Sequence, residues 1–281
     1  MSAHVAIVTD STAYLPQEAL TRHHITVVPL TVILGAEALE EGTEGSARSV
    51  AAALQRRRPV TTSRPGPERF AAAYRGAADA GASAVVSLHL SAEISGTYDA
   101  ACVAAESAPV PVRVVDTGMV AMALGFPVLA AAEAAESGGT VDDAVAAAEK
   151  RAAGTSAYFY VDTLDYLRRG GRIGAAQALL GSALAVKPLL QLAEGRIQLL
   201  EKVRTASRAI ARLEEIVAER AGQATVDIAV HHLAAADRAE ALAERLRARV
   251  PGLADLHVSE VGAVIGAHTG PGLLGAVVSP R

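Results

Sequence analysis

Ser95-Gly96-Thr97 stand just past an apolar run, SAVVSLHL at 83–90, where the chain turns into an Ala-rich helical stretch. At such a strand-to-helix turn the first backbone N–H groups of the helix point outward unpaired, with the positive end of the helix dipole behind them. A carboxylate or phosphate docks there. Ser95 and Thr97 add hydroxyl donors, and Gly96 lets an anion approach the backbone. The same three residues also make an ordinary helix cap. Thr62-Ser63, ahead of Pro65, carries the same double reading. His268, in His268-Thr269-Gly270-Pro271-Gly272, reads as a loop histidine whose rigid Gly/Pro setting can aim one imidazole at an anion. In LRRGGRI at 167–173, two glycines set a tight loop from which Arg172 can grip an oxyanion through paired N–H bonds. Arg204, ending an extended run, is a second candidate; by default both arginines are surface charges.

Other chemistries fit less well. No Gly-Lys-Ser/Thr sequence follows the glycine-rich stretch at 270–272, so nucleotide binding by the chain itself is poorly supported. A hydrolytic reading takes Ser95 as nucleophile, His268 as base and Asp10 or Asp116 as the orienting acid. Against it, Ser95 lacks the G-x-S-x-G elbow and no spacing links the three residues. His23-His24 and His231-His232 are adjacent pairs, which on a strand point to opposite faces and chelate metal poorly.

The elements that must position these groups alternate in the first half between short β-rich runs and helical stretches. HVAIVT at 4–9 is a buried-type strand followed at once by Asp10-Ser11-Thr12, and a helix is expected from near Pro16. ITVVPLTVIL at 25–34 reads as one extended run, 35–45 as a loop, and 46–57 and 68–79 as helices. The strand at 83–90 precedes a helix to about 106, and VRVVD at 112–116 precedes a long helix containing Pro127. This alternation predicts a parallel sheet with helices on both faces, and in such sheets ligands bind beyond the carboxyl ends of the strands. That edge is expected to carry Asp10-Ser11-Thr12, Thr62-Ser63, Ser91 with Ser95–Thr97, and Asp116-Thr117.

Past Gly154 the pattern changes. AYFYVDTL at 157–164 leads from a strand into a helix capped by Asp162 or Thr163 and stopped at Gly170-Gly171; a short helix is expected over 174–183. Residues 187–204 read as a hairpin around Glu194-Gly195, followed by a helix at 205–221, a strand at 226–233, a helix at 236–249, and strands near 255–259 and 275–279. The organisation predicted is α/β in two domains, a parallel-sheet domain over 1–155 and a mixed-sheet domain over 156–281.

Composition bounds the function classes. The chain has 281 residues, 51% of them hydrophobic but only 3% aromatic, with no Trp, so aliphatic side chains must build the core. A formal net charge of −4 argues against nucleic-acid or anionic-membrane binding. The single Cys102 excludes an internal disulfide framework. The N-terminal residues do not read as a signal peptide or anchor, and the apolar run 175–185 is too short to span a bilayer. The expected location is cytoplasmic, with no stable membrane insertion.

Seven segments together resemble the DegV family: VTDSTAYLP (8–16), TTSRPGP (61–67), SAEISGTY (91–98), VVDTGMV (114–120), LDYLRRGGRIG (164–174), VKPLLQLAEGRIQLLEKVR (186–204) and GAHTGPG (266–272). The resemblance runs in order from residue 5 to the C-terminus. It implies a DegV-like fold, a parallel α/β/α domain followed by a mixed-sheet α/β domain, with a long-chain fatty acid buried between them. It further implies that Thr62 and Ser95 hold the carboxylate and that His268 belongs to the same site. Ser63, Gly96, Thr97, Asp10, Ser11 and Arg64 are the supporting positions, and Arg172 and Arg204 match arginines associated with kinase engagement and phosphoryl transfer. On this resemblance the chain is a carrier, monomeric alone and without a cofactor or catalysis of its own. A separate fatty acid kinase using ATP and Mg²⁺ acts in trans, and the acyl-phosphate stays on the carrier. Two positions depart from the family pattern: Arg64, where Gln is common, and His89, where Ser is frequent.

Overall fold

The structure is a computed structural model that describes residues 4–43, 45–174, 176 and 187–281, so the helix expected over 174–183 falls almost wholly outside the described residues. In chain order it begins with β1 (Val5–Asp10), α1 (Gln17–Arg22), β2 (Thr26–Val28), β3 (Thr31–Leu34), β4 (Glu37–Glu40), α2 (Ser46–Gln55) and β5 (Val60–Ser63). There follow α3 (Pro67–Asp79), β6 (Ala84–His89), α4 (Thr97–Ala105), β7 (Val112–Asp116), α5 (Met122–Glu136), α6 (Val141–Gly154) and β8 (Ser156–Tyr160). The chain ends with α7 (Asp165–Arg169), β9 (Lys187–Ala193), β10 (Arg196–Val203), α8 (Ala206–Ala221), β11 (Val226–His232), α9 (Ala236–Arg249), β12 (Leu253–Glu260), α10 (Ala263–Thr269) and β13 (Leu274–Pro280). These elements form two compact units: residues up to Thr31 with Ser63–Gly154, and Val32–Thr62 with Thr155–Arg281. The segment 32–62, expected in the first domain, therefore folds with the second unit.

The first unit is built on a parallel sheet in the order β2-β1-β6-β7 among the described residues. Every residue of β6 is buried, as a strand covered on both faces must be. On one face Val8, Val28 and Val85 pack with Phe70 and Tyr74 of α3 and with Ala100, Ala101 and Ala104 of α4. On the other, Ile7, Val86 and Leu88 pack with Leu124 and Val128 of α5 and with Ala144, Val145 and Ala148 of α6. The small residues of α4 and α6 let those helices lie close to the sheet. α5 is buried along its first half and runs on through Pro127.

The chain departs from the local sequence pattern at two places in this region. The run 25–34 is broken at Pro29-Leu30 into β2 and β3, since Pro29 has no N–H to give a ladder. The stretch 35–45 is not all loop: Gly35, at φ 67°, makes the tight turn that brings β4 beside β3. β4, β3 and β5 form a small sheet of their own. Thr62-Ser63, on β5, therefore do not sit on the edge of the parallel sheet, where the β–α alternation placed them.

The second unit is a mixed sheet in the order β10-β9-β8-β13-β11-β12 among the described residues, antiparallel except for β11 with β12. Leu213 and Val217 of α8 and Leu242 and Leu246 of α9 close its core over Tyr160, Leu189, Ile228, Val230, Leu274 and Val278. Glu194 and Gly195 both have positive φ, the two-residue geometry that joins β9 and β10 at their natural twist. Of the two side chains expected to cap α7, Thr163 meets the helix start, its hydroxyl accepting the Asp165 N–H at 3.2 Å. The N-cap of α7 is Leu164, and the Asp162 carboxylate instead accepts the Tyr160 hydroxyl at 2.5 Å. His268 is likewise on the last turn of a helix, α10, not in a loop. The Glu41 carboxylate accepts the Val264 N–H at 2.8 Å in the first turn of that helix, a partner invisible locally because it lies so far back in the chain.

Candidate functional site

In the second unit, β5 and α10 bring Thr62 and His268 together: Thr62 Oγ1 and His268 Nε2 are 2.8 Å apart. Nδ1 of His268 is buried and has no hydrogen-bond partner among the described residues. Burial, and secondly the nearby Arg172 charge, push the His268 pKa down to about 4, so the ring is neutral near pH 7. A proton on Nδ1 would be a buried donor without an acceptor, the costlier arrangement. Nε2 therefore carries the proton and donates to Thr62 Oγ1, which leaves the Thr62 O–H free to donate outward. Arg172 is half-buried and its Nη1 donates to the Gly170 carbonyl at 2.6 Å. Gly170 faces the His268 ring so closely that a Cβ there would collide with it. Arg204 follows β10 and is exposed.

In the first unit, the loop after β6 carries Ser95. Its Oγ lies 2.8 Å from Thr97 Oγ1 and accepts the Thr97 N–H at 3.3 Å, while Gly96 is the N-cap of α4. The Arg64 side chain lies over Gly96 and occupies the place a Cβ would take. Ser63 turns away, donating to the Arg64 carbonyl at 3.2 Å. Asp10 and Ser11 serve the framework: the Asp10 carboxylate is buried among hydrogen-bond donors, and Ser11 Oγ accepts the Leu30 N–H at 3.0 Å.

Sequence reasoning did not find the side chains joined to Asp10. His89 Nδ1 is 3.1 Å from Asp10 Oδ2, His89 Nε2 is 2.7 Å from Ser87 Oγ, and the Tyr74 hydroxyl donates to Ser87 Oγ at 2.9 Å. All four residues are fully buried. The available signal was the i, i+2 spacing of Ser87 and His89, which puts both on one face of β6.

The hydrolytic reading gains no orienting acid from the described residues. Among the described residues, no carboxylate meets His268 Nδ1 to orient it. Asp10 is engaged by His89 and backbone, and Asp116 Oδ1 accepts the N–H groups of Ala92 and Gly118 at 3.2 and 2.9 Å. Among the described residues, no three or more His, Cys, Asp or Glu side chains are grouped to hold a metal ion, and no helix is long and apolar enough to cross a membrane.

Fold and site define a two-unit α/β protein, with a parallel sheet in one unit and a mixed sheet in the other, in which the Thr62 hydroxyl on β5 meets the His268 imidazole and Ser95 and Thr97 lie at the start of α4. The chain belongs to the DegV family, whose model matches residues 4–281. It is 81% identical over the full length of both chains to a DegV domain-containing protein of Streptomyces coelicolor. Among solved structures, it resembles a DegV family protein from Thermus thermophilus described for its fatty acid binding, with a TM-score of 0.93 and 35% identity over 99% of this chain and 100% of that one. It also resembles DegV from Bacillus subtilis, described as a fatty acid binding protein, with a TM-score of 0.91 and 36% identity over 100% of both chains.

Proposed function

We propose that this protein is a carrier of one long-chain fatty acid, whose carboxylate is received by the Thr62 hydroxyl, backed by His268, and by the Ser95 hydroxyl. The observation that carries the reading is the Thr62–His268 pair, in which a neutral imidazole donates a hydrogen bond to a hydroxyl oxygen and so leaves that hydroxyl's own O–H to donate to an anion. The fatty acid binding described for the relatives from Thermus thermophilus and Bacillus subtilis supports the choice of anion. Apolar burial of the alkyl chain supplies affinity at roughly 0.8 kcal/mol per methylene, and the carboxylate needs donors to stay ionised once desolvated.

The finer reading is that the carrier presents its carboxylate to a separate ATP- and Mg²⁺-dependent kinase and keeps the acyl-phosphate. The exposed Arg204 supports a role in engaging that partner, and Arg172, beside His268, one in steadying the transferred phosphoryl group. The carrier then needs no cofactor and catalyses nothing alone. Calorimetric titration with oleate tests the binding step: Ser95→Ala should weaken it roughly tenfold or more, the loss expected for one hydrogen bond to a charged group. Unchanged affinity would remove Ser95 from the site. Arg204→Ala should bind oleate normally yet be a poor substrate for the kinase; loss of oleate binding would contradict its assignment to the partner.

A further inference from the structure

Resting on the proposed role of Ser95, we infer that His89 is the positioning residue of the first unit's binding edge, fixing the Ser95 loop through a one-way hydrogen-bond chain. Three turns leave the carboxyl ends of β1, β6 and β7, and His89 is joined to all of them. Its Nδ1 lies 3.1 Å from Asp10 Oδ2. The same carboxylate accepts the Thr12 N–H at 3.0 Å and the Thr12 hydroxyl at 2.6 Å in its own turn, and the Leu90 N–H at 3.0 Å in the turn after β6. The His89 carbonyl accepts the Thr117 hydroxyl at 2.9 Å and the Thr117 N–H at 3.2 Å, which ties in the turn after β7. From that fixed point the Ser95 loop is hung: Ser91 N–H donates to the Met119 carbonyl at 2.9 Å, and the Ser91 carbonyl accepts the Ser95 N–H at 3.1 Å.

The direction of the chain follows from what each atom can do. The Asp10 carboxylate already serves as acceptor to the Thr12 and Leu90 groups, so His89 Nδ1 is placed as its donor. Nε2 then accepts from Ser87, whose oxygen in turn accepts from Tyr74. Burial pushes the Tyr74 hydroxyl up to about 12, so it remains a donor. Tyr74, Ser87 and His89 thus form a line of donors ending on the Asp10 carboxylate, with the Phe70 ring roughly perpendicular to the imidazole and their centroids 5.0 Å apart. Ser87, His89 and Asp10 share the connectivity of a hydrolytic triad, but each is fully buried, and the arrangement holds a scaffold instead of meeting a substrate. In so dry a setting, a satisfied network specifies one geometry and a broken one leaves a buried polar group unpaired.

Oleate titration of the delipidated full chain tests this in a cycle of wild type, Ser95→Ala, His89→Ala and the double variant. If His89 acts through the Ser95 loop, His89→Ala weakens binding about as much as Ser95→Ala, roughly tenfold, and the double variant is scarcely weaker than either. His89→Asn, whose amide N–H can replace the donor to Asp10, should recover much of the loss. Multiplicative losses in the double variant, wild-type affinity in His89→Ala, or a His89 effect beside a neutral Ser95→Ala would each overturn the proposal. A neutral Ser95→Ala alone marks failure of the underlying site reading. Nitrogen-15 NMR of the wild type supplies the arm that survives a folding defect in the variants. The His89 proton is expected on Nδ1, and a proton on Nε2 alone would contradict the chain.

Discussion

Thr62 and His268 are coupled tightly enough that each can be tested through the other. Thr62→Val keeps the shape of the side chain and removes the outward O–H, so oleate affinity should fall roughly tenfold or more, while the fold, followed by circular dichroism, is unchanged. Gly170→Ala is a less obvious probe. The added methyl collides with the His268 ring and forces it away from Thr62, so binding should weaken although no donor has been removed. Wild-type affinity in Gly170→Ala would show that the ring's placement is not needed. The turn of Ser95, Gly96 and Thr97 at the start of α4 was legible in the sequence, because it depends on neighbouring residues. That Thr62 and His268 belong together came from the family resemblance and not from local pattern, since the pair joins positions 206 residues apart.

At the level of elements, local signals served wherever an element's ends are set by its own residues. The helix expected at 236–249 is α9 to the residue, and the hairpin turn at Glu194-Gly195 is where the positive-φ pair falls. Thr205 was the natural start of the charged helix that follows, and its hydroxyl accepts the Arg208 N–H at 3.3 Å. Thr205→Ala should therefore cost about 1 kcal/mol, read as a lowered urea midpoint; no shift would mean the cap contributes nothing. Partner choice between elements was not legible. β5 resembles any short strand in a β–α series, yet it pairs with β3 and folds with the second unit. His268 was read as a loop residue because the cap of α10 comes from Glu41, outside any local window.

Across the whole molecule, acid should be the condition that most readily destabilises the second unit. Burial is the first cause holding both His231 and His268 down to about 4 from an ordinary value of 6.5. Between those values the unfolded chain binds protons that the folded unit refuses, so stability is fully present above about pH 6.5 and is lost as pH falls toward 4. Each histidine contributes a slope of at most about 1.4 kcal/mol per pH unit. Urea unfolding at pH 7, 6 and 5 should show this slope, and His231→Asn should reduce it by about one histidine's share; an unchanged slope would contradict the assignment. The match of residues 4–281 to the DegV family and the Thr62–His268 pair lead to one question, which is what the folded protein carries. Native mass spectrometry of protein purified without added lipid answers it most directly. The expected spectrum shows one long-chain fatty acid per chain, recovered as the free acid on extraction and diminished in a Thr62→Val, Ser95→Ala double variant. A wild-type chain that stays empty and takes up no added oleate would contradict the carrier reading.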